Sequence, residues 1–397
     1  MTIIAFVVVF TFIVFFHELG HFSVSRAFGV KVGEFGLGLP PRLFGLRRKS
    51  NIKNQILPWY KRWELIKGKK VDSTKSDSTI YSLNLLPIGG FVNIGKDDSE
   101  SVDQTVDQNS FQAKSAGKRA LILGAGVFMN VLLTVLLLAI VYMAGYIQQV
   151  PSGSDLSKYE DVSLSITAVL PGSPAAKAGL MMGDIINWVD ASEFTTAENL
   201  SGYLSVRPDE HVVFNVDRSG QEMQFIAYPK FLEEVEKVGV GIGLANTIKI
   251  QEPVHKAFWY GLKNTGNLIV TIFKAIGTML VQLVTLEKID QEFVGPIGIA
   301  VITGQVARLG IVPLLEFAAL LSINLAIINI LPFPALDGGK ILFIIIGKIR
   351  GKAVSQKMEN IIHMTGFIIL ISLILVVTLK DIGRFGSGIW ETVVSLF

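Results

Sequence analysis

The stretch Phe15-Phe16-His17-Glu18-Leu19-Gly20-His21 closes an apolar run, residues 3–16, whose one polar member is Thr11. On a helix, positions four apart share a face, so His17 and His21 stand one above the other. Two imidazoles so placed can grip one Zn2+, and Glu18 beside them can take a proton from a water held there. Ionisable groups at membrane depth are costly and mark function by default. The competing reading is a pair of histidines at a membrane edge, snorkelling to water.

Composition sets the class around this stretch. Half of the 397 residues are hydrophobic and 17% are charged, which points to an integral membrane protein. A net charge of +3 gives no pull toward nucleic acid. The absence of cysteine excludes structural disulfides, thiolate zinc sites and cysteine proteases, so any metal must be held by nitrogen and oxygen. Residues 1–22 lack a basic n-region and an Ala-x-Ala-like cleavage site and are read as a retained first span.

Region 23–118 carries Arg42, Arg47, Arg48, Lys49, Lys53, Lys61, Arg62, Lys67, Lys69 and Lys70, which puts it in the cytoplasm. Within it, 30–39 and 80–94 alternate polar and apolar residues and are rich in glycine, so both are predicted strands. Open backbone near the bilayer survives where protein covers it or where it faces a cavity. A free edge on 80–94, at Gly90, Phe91 and Val92, would capture an extended substrate by strand addition. A surface hairpin with no partner is the alternative. Stretch 46–79 reads as basic and peripheral, and Asp97–Asn109 as an acidic loop. A second span follows at 119–147, where Gly124, Gly126 and Asn130 suit close helix packing.

Segment 148–250 is a linker and a soluble domain. Residues 165–190, SITAVLPGSPAAKAGLMMGDIINWVD, predict a strand, a short helix Pro174–Ala178, a stop at Gly179-Leu180 and a Gly183-Asp184 turn into another strand. Segment 313–346 is a third span, within which the uncharged run 317–336 ends at Leu336-Asp337-Gly338-Gly339. The loop 347–360 carries Lys348, Arg350, Lys352 and Lys357 and is cytoplasmic. Charge parity then sets 251–312 against the membrane as an amphipathic segment. Span 361–380 returns the 381–397 tail to the outside. The fold class is a polytopic α-helical membrane protein of four transmembrane helices, with a membrane-associated β-hairpin region and one extracytoplasmic α+β domain.

A catalytic zinc takes three protein ligands and keeps one open position. His211 lies in the soluble domain, His255 outside the cytoplasm, and His363 at the start of the last span. Asp337 is the one acid in 317–346, at a depth that matches the histidine pair. Its alternative partner is Lys340. Pro332 and Pro334 break the helix just before it, which is tolerable beside a polar cavity.

His17-Glu18-Leu19-Gly20-His21, Leu336-Asp337-Gly338, the Asn324, Asn329 and proline approach, and the 165–190 pattern together resemble the site-2 protease family. Within it, the chain is similar to bacterial RseP-type intramembrane zinc metalloproteases. The Gly179-Leu180-x-x-Gly183-Asp184 pattern resembles a single PDZ domain over 164–230. The resemblance implies that His17, His21 and Asp337 hold Zn2+, that Glu18 is the catalytic acid/base, and that Asn324 and Asn329 handle substrate. It implies that 30–39 and 80–94 form a membrane-reentrant hairpin and that 254–286 holds peripheral helices after the PDZ domain. The activity it implies is cleavage of transmembrane segments of single-span proteins, such as anti-sigma factors or remnant signal peptides, after their outer domain is trimmed. The implied setting is a bacterial inner membrane, with the lipid bilayer and membrane proteins as partners and no nucleic acid. The site would face the cytoplasmic side, and the PDZ domain would contact substrate or act as a gate.

The chain departs from the family pattern in three places. Many relatives carry two PDZ domains. Ala125-Gly126-Val127-Phe128-Met129-Asn130 lacks the family's proline, and the basic 46–79 stretch is long. Two other function classes use the same features: a zinc transporter or sensor, which needs the three ligands but not Glu18, and an inactive scaffold presenting its PDZ domain.

Overall fold

The computed structural model describes residues 2–48, 63–67, 78–94, 108–285 (apart from 152, 160, 171, 219 and 234) and 294–394. Most of 46–79 and of Asp97–Asn109 lies outside the described residues. The chain divides into two compact units, Met1–Leu138 with Gly261–Gln305 and Glu316–Phe397, and Ala139–Tyr260 with Val306–Leu315.

In the first unit, helix α1 (Thr2–Ala27) is about 39 Å long. Its buried residues, Val9, Ile13, His17, Gly20, His21 and Ser25, follow the helical repeat and form one stripe. Ile4, Val8 and Phe12 on the other side stay exposed, the reverse of a water-soluble helix. Helix α2 (Ala116–Ala144) packs on that stripe. A Cβ on Gly20 would collide with the Ala125 carbonyl, so the two backbones touch only because residue 20 has no side chain.

Strands β1 (Val32–Arg48), β2 (Trp63–Lys67) and β3 (Ile80–Ile94) form a sheet in the order β2-β1-β3. This exceeds the hairpin expected from 30–39 and 80–94, because β1 continues to Arg48 and β2 joins it. Glu34–Leu37 of β1 pair on one side with Ile80–Leu83 and on the other with Gly90–Asn93. The Gly90–Ile94 end therefore forms an edge, and no further strand follows it among the described residues. Phe15 and Phe22 of α1 meet Phe35 at 5.6 and 5.0 Å between ring centroids, which seats the sheet against that helix.

Helices α5 (Val254–Thr285), α6 (Pro296–Arg308), α7 (Ile311–Ile330), α8 (Asp337–Ile349) and α9 (Gln356–Val394) complete the helical set; α3 and α4 belong to the second unit. Among the described residues five helices are long and apolar enough to cross a membrane: α1, α2, α5, α7 and Gln356–Gly383 of α9. The expected count was four. Helix α5 adds the fifth, and length and composition do not distinguish a crossing helix from one lying along a surface. One stripe of α5, Leu268, Ile269, Ile272 and Ile276, packs on Ile323, Ala326 and Ile327 of α7.

Two boundaries differ from the sequence reading. Helix α9 runs on past residue 380, and its buried Asp381 accepts from the amides of Gly295 (3.2 Å) and Gly298 (2.8 Å) at the start of α6. Segment 313–346 is not one helix: α7 stops at Ile330 and α8 starts at Asp337. Pro332 and Pro334 lack amide protons and push their predecessors out of the helical region.

The second unit holds a six-stranded sheet in the order β4-β11-β5-β6-β7-β8. Its strands are β4 (Tyr146–Gln149), β5 (Ser163–Val169), β6 (Ile185–Val189), β7 (Val212–Arg218), β8 (Gln221–Ala227) and β11 (Ile242–Ile250), with a small β9–β10 hairpin (Lys230–Leu232, Lys237–Gly239). Helices α3 (Pro174–Ala178) and α4 (Ala197–Ser205) accompany the sheet. The alternating residues Leu164, Ile166, Val212, Phe214 and Val216 enter its core with Leu200 and Leu204 of α4.

The Gly-Leu-x-x-Gly-Asp pattern has a physical reason. Gly179 (φ +91°) caps α3 and Gly183 (φ +92°) turns the chain, both in the left-handed region. Asp184, 1% exposed, then takes both Nε and Nη2 of Arg218 at 2.7 Å and the Met181 amide at 2.9 Å. This paired geometry is the strong form of a charged hydrogen bond, and it holds the Arg218 guanidinium above its ordinary range.

Candidate metal centre

Three ligand atoms from two distant segments converge in the first unit. His17 Nε2 lies 3.1 Å from His21 Nε2, and Asp337 Oδ2 lies 3.2 Å from each of them. Among the described residues this is the one group of three or more His, Cys, Asp or Glu side chains whose ligand atoms fall within 4.8 Å of one another. Tetrahedral ligands about 2.0 Å from one Zn2+ stand about 3.3 Å apart, so the triangle fits that ion. The donor set, two imidazoles and one carboxylate, suits zinc as well. Asp337 turns its Oδ2 to the two histidines, with Lys340 lining the same cavity.

Each ligand is held by a named neighbour. Helix α1 presents the two rings from consecutive turns, their planes 84° apart. His21 Nδ1 donates to the Ile122 carbonyl of α2 at 2.8 Å, which leaves Nε2 free to ligate. Asp337 is the first residue of α8 and sits behind a tight break. Ala335 there has φ +81°, and its amide donates to His363 Nδ1 at 2.9 Å. Gly338 and Gly339 follow because a Cβ at either would collide with carbonyls of Ile330, Leu331 or Phe333. His363, which sequence alone removed from the ligand set, thus anchors the break that aims Asp337.

Glycine also opens the space for a metal. A Cβ on Gly126 of α2 would collide with His21 Nε2 and stand 2.8 Å from His17 Nε2. The sequence reading gave this glycine to helix packing. The structure adds that its missing side chain clears the ligand atoms.

The three ligands share a cavity of about 360 Å³ with Glu18, Asn329, Lys340 and the sheet-edge residues Phe91, Val92 and Ile94. Gly90 borders it too, since a Cβ there would lie 3.6 Å from Glu18 Cγ. Asn329 places its Nδ2 3.4 Å from His17 Nε2. Asn324 does not join the site: its amide donates to the Leu320 carbonyl of its own helix at 2.8 Å. Five residues on a helix are about 140° apart, so Asn324 and Asn329 cannot face one cavity. A larger cleft of about 530 Å³ in the second unit, beside α3 and β9, offers Glu233 as its one potential metal-ligating side chain among the described residues.

The model of peptidase family M50 matches residues 5–58 and 60–373. The chain belongs to peptidase family M50. This is the site-2 protease family, and the chain is a zinc metalloprotease of the RseP type. It is 28% identical to zinc metalloprotease RasP of Geobacillus kaustophilus, over 97% of this chain and 98% of that one. It is also 28% identical to the regulator of sigma-W protease RasP of Bacillus subtilis, over 96% and 98%. A crystal structure of the PDZ domain of an SdrC-like protein from Listeria monocytogenes covers 20% of this chain and 85% of its own, at 22% identity and a TM-score of 0.19.

Proposed function

We propose that this M50 peptidase cleaves the transmembrane segments of single-span membrane proteins, after their outer domain has been trimmed, from the cytoplasmic side of a bacterial inner membrane. The observation that carries this reading is the position of His17, Glu18 and His21 on α1, a 26-residue apolar helix, within reach of Asp337. In this reading α1, α2, α7 and the first part of α9 cross the bilayer, and α5 lies against it. The basic residues of 42–70 and of 348–357 support that orientation.

His17, His21 and Asp337 would hold the zinc ion. When bound, zinc supplies Lewis acidity, bringing the pKa of a water toward about 7 and polarising a carbonyl. Glu18 accepts a proton from the attacking water and returns it to the amine nitrogen as the peptide C–N bond breaks. The Asn329 amide, a neutral donor beside His17, hydrogen-bonds the substrate backbone. A membrane helix satisfies its amides internally and must unwind before attack. Pairing the unwound segment with Gly90-Phe91-Val92 returns part of those hydrogen bonds, which the edge position of this strand supports.

The second unit would be a PDZ domain that contacts or gates substrate outside the cytoplasm. Strand β4 pairs with Thr247–Ile250 of β11 and, among the described residues, leaves Ile242–Ala245 without a strand on that side, a place for an extended chain. The test compares a single-span substrate with and without its outer domain, in liposomes. Intact enzyme is expected to cut only the trimmed form, and enzyme lacking residues 162–250 to cut both. Equal discrimination by the two enzymes would sink the gate.

A transporter or sensor accounts for the three ligands but gives no role to Glu18 in the same cavity. The scaffold reading accounts for neither.

A further inference from the structure

His17 needs a second partner that the site has not yet been given. A neutral imidazole that ligates through Nε2 keeps its proton on Nδ1, and that N–H has to be accepted for the ring to hold its orientation. His21 uses the Ile122 carbonyl for this purpose. His17 Nδ1 faces the side-chain amide of Asn130, one helix away, with Nδ2 3.4 Å from it. Asn130 is wholly buried, and among the described residues its Oδ1 has no hydrogen-bond partner.

We infer that Asn130 is the positioning residue for His17, accepting the Nδ1–H through Oδ1 whenever Nε2 is committed to the metal. The two ends of an asparagine amide have nearly the same shape, and a half-turn about the last side-chain bond exchanges them. With Nδ2 toward the ring, the amide donates to an unprotonated Nδ1. After the exchange, Oδ1 accepts from a protonated one. One end of the amide serves the ring in either orientation, and the ring's tautomer selects which.

The backbone beneath this side chain is fixed. The Asn130 carbonyl accepts from Thr134 Oγ1 at 2.9 Å and from Ser322 Oγ at 3.0 Å, both hydroxyls wholly buried. Ser322 lies on α7, so the network runs from the zinc-binding face of α1 through α2 to the helix that carries Asn329. An asparagine needed only for helix packing would not require its amide to face an imidazole nitrogen.

This inference rests on the zinc assignment, so the test reads zinc affinity directly. Purified full-length protein in detergent is titrated with zinc against a chromophoric chelator, and the thermal unfolding of the metal-free form is recorded beside it. Asn130→Leu removes the acceptor, and Asn130→Asp keeps one. The leucine variant is expected to bind zinc about 10–100-fold more weakly, the usual cost of losing such a partner, and the aspartate variant within about threefold of the unaltered chain. Asn130→Ala replaces the leucine variant if the larger side chain does not fold. Equal affinity in the acceptor-free variant and the unaltered chain would overturn the inference. Equal losses in both variants would also overturn it, because packing alone would then be responsible. Failure of the unaltered chain to bind zinc would instead overturn the metal assignment itself.

Discussion

Glu18→Gln is expected to keep one zinc ion per chain and to lose cleavage of a single-span substrate by about 10²–10⁴-fold, the range that a positioned acid/base supplies. The substitution preserves size and hydrogen bonding but removes the group that accepts and returns the proton. Glu18 lines the cavity beside the ligands but is not one of the three, so metal content should not change. Zinc analysis and turnover on one preparation separate the reading from its rivals. A variant that holds zinc and cleaves normally would remove Glu18 from the acid/base role. A variant that loses zinc would make Glu18 a ligand.

Gly126→Ala is expected to weaken zinc binding on the order of 100-fold or more, beyond what loss of one supporting partner costs. The added methyl would collide with His21 Nε2 and lie 2.8 Å from His17 Nε2, where both atoms must keep clear to ligate. Relief requires α2 to move away from α1, which gives up the close backbone contact of Gly20 with the Ala125 carbonyl. Gly124→Ala on the same helix is the control. A Cβ there meets nothing within 4 Å, so only helix propensity changes, by up to about 1 kcal/mol in favour of alanine. Equal zinc affinity in the two variants, measured by chelator competition, would remove Gly126 from the site.

The three candidate ligands were legible because their signal is local or isolated. His17 and His21 share a helical face by spacing, and Asp337 is the one acid in a long apolar stretch. The glycine-rich alternation of 80–94 likewise announced a strand, and the structure puts its Gly90–Ile94 end beside Glu18. What surrounds the ligands was hidden for physical reasons. The acceptor for His21 is a backbone carbonyl, and Ile122 as a residue type carries no mark of that role. Gly126 and Asn130 look like packing residues until the neighbouring helix is in place. His363 serves through an amide at position 335, so its distance from the motif concealed it. Asn324 erred the other way: a motif resemblance grouped it with Asn329, although helical geometry alone sets the two apart. The prolines signalled a break, but only the structure shows that it ends at Asp337 and makes this ligand the first residue of a new helix. Helix α5 is as apolar as a span and amphipathic as well, so composition alone left its count open.

The central claim is metal-dependent hydrolysis inside the bilayer by the His17, Glu18, His21 and Asp337 constellation. Its most direct test is mass-spectrometric mapping of the products of a trimmed single-span substrate in liposomes, with zinc-loaded enzyme, the same enzyme after chelation, and Glu18→Gln. The account predicts a cut within the substrate's apolar segment that chelation abolishes, that added zinc restores and that the variant lacks. Cuts confined to the substrate's soluble flanks, or cuts in the apolar segment that persist in the variant, would contradict it.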